Sequence, residues 1–396
     1  MPGSDVTRRR LIALVASVGV VGALVLGFQL RDGPSRPSPA HADSAPELRV
    51  RGHLLADNAG TTVRLRGFNT SGTEYACVEG WGIFDLPGAE STRVPEAVIE
   101  RMARWRGANT VRVPLNEQCW LGLGVPPEYG GARYRSAIAD YVHRLHAHGF
   151  VVVLDLHRSA PADGRSTRQE QMPDRDHSPE FWRQVAAAYK DDESVIFDLY
   201  NEPAPFAESD TERAWLCWRD GGCTLTSRNT GQPYTAAGMN ELIAAVRSTG
   251  ARNVLAVGGI RWAEVLDRWL RYRPSDPLDN LIASFHAYAF NSVCADQRCY
   301  DDVLGPVAAA VPLYAGELGP DGLTTSGERC PADAEGRSGF SDGLLDWLDR
   351  HGAGFTAWTW NAWGDCTSLI VDDHGTPTPS WGRQIRDRLA TAPPSD

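Results

Sequence analysis

The chain reads as a (β/α)8 barrel, an α/β fold in which one closed parallel sheet is wrapped by helices. Three observations carry this reading. From about residue 63 to residue 389, short apolar strand candidates alternate with amphipathic helix candidates. The strand bodies, such as Val151-Val152-Val153-Leu154, are apolar at successive positions, as strands covered on both faces must be. Polar and aromatic residues collect instead just past the strands' C-terminal ends, the face on which a barrel of this kind keeps its chemistry. A doubly wound open sheet is the alternative, but it would carry a Gly-rich phosphate loop after its first strand. Asn69-Thr70-Ser71-Gly72-Thr73 stands there.

The elements follow in order. Residues 1–42 read as a signal peptide or membrane anchor. Arg8-Arg9-Arg10 precede an uncharged stretch from Leu11 to Leu30, and Ala40-His41-Ala42 offers a small-residue cleavage pattern. Thr7 to Ile12 also fits a loose twin-arginine signal. Left uncleaved, twenty apolar and uncharged residues could span a bilayer. A Pro/Ser/Ala-rich spacer from Pro34 to Pro46 ends in a linker at 43–47, and the main domain is expected over 48–394. A hairpin opens that domain: Leu48–Leu54, a turn at Asn58-Ala59-Gly60, then Val63–Leu65.

Eight strands are expected: Val63–Phe68, Thr110–Pro114, Val151–Leu156, Val195–Leu199, Asn253–Val257, Leu281–Phe285, Val311–Ala315 and Gly354–Trp360. The helices between them are placed near Pro95–Arg106, Tyr134–His148, Pro179–Lys190, Ala236–Thr249, Trp262–Arg271, Asp301–Ala310 and Gly339–His351, with a last one over Trp381–Leu389. In the second of these, Ile138, Tyr141, Val142 and Leu145 fall on one face at helical spacing.

Composition bounds the partners. The formal charge is −11, and without residues 1–42 there remain 34 basic and 48 acidic residues, a charge of −14. Nucleic acid is thereby excluded as a partner, and membrane contact is expected only through the N-terminal segment if it stays uncleaved. A monomer is expected. Eight cysteines agree with export to an oxidising compartment, secreted or anchored facing outward. Proximity pairs Cys217 with Cys223, Cys294 with Cys299 and Cys330 with Cys366, leaving Cys77 with Cys119. These pairs staple the loops, and tight metal-ligand spacing is missing among them.

The chemistry gathers at strand ends. The second strand carries Arg112, the third ends at Asp155-Leu156-His157, and the fourth is followed by Asn201-Glu202-Pro203. The sixth leads into His286-Ala287-Tyr288, the seventh into Glu317, and the eighth carries Trp358 and Trp360. Taken singly, the Arg, the His residues, the Tyr and the Trp could all be core. Two carboxylates are harder to bury without a task. A pair of carboxyl groups facing one another is what glycoside hydrolysis requires, one to donate a proton and one to attack the sugar. Asp155 is a competing acid and reads as a partner of His157 or Arg112.

The order of these motifs resembles the cellulase-type glycoside hydrolase family 5: "TVRVP" with Arg112, "VLDLH" with His157, Asn201-Glu202-Pro203, "FHAYAF" with His286 and Tyr288, "YAGELG" with Glu317 and "FTAWTWNAWGD" with Trp358. It covers the chain from about Leu48 to Leu389. The resemblance implies Glu202 as general acid/base and Glu317 as nucleophile. Arg112 and Tyr288 would hold and ionise Glu317, and Asn201 would bond the sugar 2-hydroxyl. His157 and His286 would line the subsite at the cleavage point, with Trp358 as its stacking floor. Three segments depart from the family pattern: Gly72–Pro87, with Glu74, Tyr75, Glu79, Trp81 and Asp85, and the insertions holding Cys217–Cys223 and Cys294–Cys299.

The mechanism that follows is retaining hydrolysis by double displacement, with the carboxyls about 5–5.5 Å apart. Arg112 is expected to lower the Glu317 pKa, and the charge of Glu317 to raise that of Glu202. The substrate is an oligo- or polysaccharide, by default of the family a β-1,4-glucan cut internally. A β-mannan, or exo action on another cell-wall or glycolipid glycan, is also compatible with the loops. Trp81, Trp120, Trp215, Trp218 and Trp363 are candidates for hexose stacking. No cofactor and no metal is implied. A catalytically silent sugar-binding barrel would not need both glutamates, and a metal-dependent hydrolase fits Asn-Glu-Pro with Arg112 poorly.

Overall fold

A computed structural model describes residues 45–206, 210–289, 293–320 and 339–391, with the backbone alone at 339–341. Eight strands close into one parallel barrel: β1 (Arg66–Asn69), β2 (Thr110–Asn116), β3 (Val151–Arg158), β4 (Val195–Asp198), β5 (Leu255–Gly258), β6 (Leu281–Tyr288), β7 (Leu313–Gly319) and β8 (Gly354–Ala357). Each pairs with the next, and β8 pairs back onto β1. This is the expected (β/α)8 fold. The pre-barrel hairpin is present, but its tight turn is at Gly52-His53, between Leu48–Arg51 and Leu54–Asp57. Gly52 takes the left-handed φ of 62° that the turn needs. The expected turn at Asn58–Gly60 makes a second reversal, which returns only through a bridge between Ala56 and Thr62.

Alternation along the strands separates two cores. Val151 and Val153, Ile196, Ala256, Ile282 and Tyr314 fill the lower lumen, and Leu48 and Leu55 of the hairpin plug it from below. Val152, Leu154, Phe197, Val257 and Ala315 point outward into the larger layer shared with the helices. The strand sides that begin apolar in the lumen turn polar higher up: Val151 and Val153 lead to Asp155 and His157, and Ile196 leads to Asp198. The barrel therefore rests on an oily base and opens on a polar mouth.

One strand breaks this alternation. In β7, Tyr314 faces the lumen and Ala315 faces out, so strict alternation would turn Glu317 outward. The register against β6 slips between Phe285 and His286, so that Phe285 pairs with Ala315 and His286 with Glu317. Gly316 is the extra residue. This bulge turns Glu317 into the lumen, a re-aiming that bulges commonly perform. A side chain at 316 would meet Ser284 Oγ at 2.9 Å and His286 Nε2 at 3.2 Å.

Helices follow the strands at Glu96–Ala103, Ala132–Ala147, Ser178–Tyr189, Met239–Arg247, Gly305–Ala310, Gly339–Arg350 and Trp381–Ala390. The segment before Gly305 is a short α-turn at Gln297–Cys299 and a π-helix at Tyr300–Leu304. The helix expected over Trp262–Arg271 does not form. Arg261, Trp262 and Ala263 all take left-handed φ. The segment makes local turns and also bonds to neighbouring strand ends: Trp262 N–H donates to Pro203 O, and Ala263 O accepts from His286 N–H. Its helix-like spacing buries Leu266 and Trp269 by another route. The eighth strand likewise stops at Ala357, because Thr359 N–H turns to Thr367 O and Trp360 N–H to Asn69 O.

Disulfides join Cys77–Cys119, Cys217–Cys223 and Cys294–Cys299. Cys330, paired with Cys366 by spacing, lies outside the described residues, as do the N-terminal segment 1–42 and the first residues of the linker.

Candidate active site

Arg112, fully buried in the lumen, organises the mouth of the barrel. Nε donates to Asp198 Oδ2 at 3.0 Å, and Nη1 donates to Asn69 Oδ1 at 3.0 Å and to Glu317 Oε1 at 2.8 Å. Nη2 reaches Asn201 Oδ1 at 2.8 Å and Asp155 Oδ2 at 3.0 Å. One cation thus serves three carboxyl groups. Burial pushes Asp155 up to about 7 and Asp198 up to about 8, against the pull of Arg112. Asp198 and Asn69 are the members that the strand-end reading missed. Counting alternate residues up from Ile196 and Leu65, both in the lumen core, would have found them.

Glu317 is held from two sides. Arg112 donates to one oxygen, and the Tyr288 hydroxyl donates to Oε2 at 2.6 Å. Glu202, with a fifth of its side chain exposed, lies across from it. His286 Nδ1 stands between the pair, 3.0 Å from Glu202 Oε1 and 3.6 Å from Glu317 Oε2. A carboxyl oxygen of Glu202 and one of Glu317 lie within 4.8 Å of each other. Burial lifts the Glu202 carboxyl to about 7, while His157 and Arg112 pull it down. The cause is therefore desolvation, where the sequence reading expected repulsion from Glu317.

The remaining candidates complete the ring. Asn201, its Oδ1 turned to Arg112, donates from Nδ2 to Gln169 Oε1 at 2.9 Å and faces His157 Nε2 at 3.4 Å. His157 Nδ1 lies 2.7 Å from Asp155 Oδ2, and its ring stacks on Trp358 with centroids 5.6 Å apart. Burial lowers His157 to about 4 and His286 to about 3, so both imidazoles are neutral near pH 7. Trp358 is half-buried past the end of β8. All eight candidate residues thus meet at one end of the barrel. The tryptophan expectation is corrected. Trp120, Trp215 and Trp218 are fully buried, the last two spaced three apart on helix Glu212–Asp220 with their N–H groups on Asp210 and Gly258. Only Trp81 and Trp363 of the five are exposed, at 56% and 49%.

Two groups among the described residues bring carboxyls and a histidine close enough to share a cation: Glu202, His286 and Glu317, and Glu117, Asp174 and His177. In the second, burial raises both carboxyls and the Ser178 hydroxyl donates to both.

Residues 56–364 match the family model described as cellulase (glycosyl hydrolase family 5). The chain belongs to this family. Among its relatives, endoglucanase A of Butyrivibrio fibrisolvens is 24% identical over 322 residues, 80% of this chain and 60% of that protein. Endoglucanase MaCel5A of Microbulbifer sp. is 23% identical over 342 residues, 85% of this chain and 55% of that protein. The family 5 chain thus spans somewhat over half the length of these relatives. Among solved structures, beta-glucanase SdGluc5_26A from Saccharophagus degradans in complex with cellotetraose superposes with a TM-score of 0.63 at 19% identity, covering 91% of this chain and 98% of that one. The catalytic domain of Thermobifida fusca endoglucanase Cel5A gives 0.57 at 17% identity, covering 87% and 97%. At these identities the likeness concerns the fold.

Proposed function

We propose that the protein is an exported retaining β-glycosidase, an endo-β-1,4-glucanase, in which Glu317 is the nucleophile and Glu202 the acid/base. The observation that carries this reading is the pair of carboxyl oxygens within 4.8 Å of each other. That spacing suits direct attack on the anomeric carbon. An inverting enzyme needs about 6.5–9.5 Å to admit a water. The two carboxyls also have opposite surroundings. Glu317 receives charge-assisted and hydroxyl hydrogen bonds from Arg112 and Tyr288. Glu202 is kept protonated up to about pH 7 by burial.

Glu317 attacks the anomeric carbon as Glu202 donates its proton to the departing oxygen. The glycosidic C–O bond breaks and a glycosyl ester forms on Glu317. Glu202, now ionised, takes a proton from water, which displaces the ester with a second inversion. Asn201 orients the sugar 2-hydroxyl, His157 and His286 line the cleavage subsite, and Trp358 forms its floor. The names of the relatives, all endoglucanases, support a β-1,4-glucan as substrate. The leader over 1–42 and the disulfides support export. Proton NMR of freshly cut cello-oligosaccharide is the test. The first product should carry the β-anomer, and Glu317→Gln should turn over at least about a thousandfold more slowly. An α-anomer first, or an active Glu317→Gln protein, refutes the assignment.

A further inference from the structure

We infer that the leaving-group side of the cleft receives an acidic sugar, a uronate, whose carboxylate is read by Arg228. The inference rests on Glu202 being the acid. The proton of Glu202 goes to the oxygen of the departing sugar, so that sugar lies against the residues around Glu202. Those residues come from the hairpin loop after β4 and the left-handed turn after β5.

Trp262, at the left-handed turn after β5, donates its N–H to the C=O of Pro203, directly after Glu202. The Arg228 guanidinium stands over the Trp262 ring, 4.2 Å from its centroid. Its charge reaches Glu202 itself. Arg228 sits at the tip of the hairpin Thr224–Thr226/Pro233–Thr235, next to the Cys217–Cys223 staple. The tip is not loose. Glu170, fully buried in the loop after β3, accepts from the Ser227 hydroxyl, the N–H groups of Arg228 and Asn229, and the Asn229 side chain. The Asn229 side chain in turn accepts from the N–H groups of Thr167 and Arg168. The neighbour of Glu170, Gln169, binds the other way, to Asn201 and to the main-chain oxygen of Glu202. One clasp therefore fixes both Arg228 and the acid's own backbone.

The guanidinium so placed is itself unspent. It is exposed, and no carboxylate among the described residues lies within ion-pair distance of it, although acidic residues outnumber basic ones in the chain. A cation close to Glu202 works against an acid that must keep its proton, so the reaction itself gives no reason to place one there. A carboxylate on the departing sugar offsets that effect, and the planar fork of an arginine matches a carboxylate with two parallel hydrogen bonds.

Two oligosaccharides identical except for glucose or glucuronate on the leaving side of the scissile bond test this. The wild type should cut the acidic one better, and Arg228→Gln should lower the ratio of the two kcat/KM values about tenfold. Arg228→Lys should recover part of the ratio. Added salt should erode the wild-type preference and leave the Arg228→Gln ratio flat. A wild type that prefers the neutral sugar, or a ratio untouched by Arg228→Gln, overturns the inference while leaving the hydrolase reading in place. If neither sugar is cut, the β-1,4-glucanase reading fails. Calorimetric titration of both sugars into wild type and Arg228→Gln then decides recognition by itself: tighter acidic binding lost in the variant supports it, and equal binding overturns it.

Discussion

Replacing Arg112 with methionine should destabilise the protein by an amount that grows with pH, and should stop turnover. The guanidinium is fully buried, donates to Asp198, Asn69, Glu317 and Asn201, and forms an ion pair with Asp155. Methionine fills most of the space but donates nothing, so five buried acceptors lose their partner, three of them on carboxyl groups. Breaking a buried ion pair from one side costs about 3–5 kcal/mol. At roughly 2 °C per kcal/mol for a domain of this size, the melting temperature should drop by about 6–10 °C. The pH dependence follows from the carboxyls. With the cation present, burial already holds Asp155 at about 7 and Asp198 at about 8. Without it these folded-state values rise further, while in the unfolded chain both stay near 4. A carboxyl whose pKa is raised by folding favours the folded state at low pH, and that contribution disappears as pH climbs through the folded value. The extra loss should therefore be small below about pH 7, set in as pH rises through about 7–8, and go on growing at more alkaline pH. Thermal and urea unfolding followed by circular dichroism at acid, neutral and alkaline pH measures it. An equal loss at all three, or none at alkaline pH, would refute the account of one cation shared among three acids.

Further outcomes follow from the same geometry. The kcat/KM of the wild type should fall as pH rises through about 7, where Glu202 loses its proton. A profile that stays level well into alkaline pH would remove Glu202 from the acid role. Gly316→Ala would press a methyl group onto Ser284 and His286. It should destabilise by about 1–3 kcal/mol and lower kcat more than it changes KM, because His286 touches both glutamates. Wild-type kcat in that variant would show that the bulge does not position the pair.

Much of this architecture could be read from the chain alone. Strands covered on both faces must be apolar throughout, so the sudden polar residues at Arg112, His157, Asn201, Glu202, His286 and Glu317 mark strand ends without any structure. What failed depended on which way a side chain turns. Asp198 looked like one odd residue in an apolar run, since only the inward placing of Ile196 reveals that it faces Arg112. Trp215 and Trp218 looked available for sugar stacking, but the helix that carries them turns both indoles into the core. The spacing of Trp262, Leu266 and Trp269 is that of a helix, yet hydrogen bonds to Pro203 and His286 hold the segment as a left-handed turn.

Local chemistry and periodicity determined the barrel, its order of elements and the group of polar residues at its mouth, because each depends on neighbours within a few positions. The inward turn of Glu317 at the Gly316 bulge, the sharing of Arg112 among three acids and the seat of Arg228 on Trp262 were decided only by tertiary structure. Each requires segments some 30 to 200 residues apart to meet at hydrogen-bond or ring-contact distance, and no local pattern in the chain encodes such a meeting.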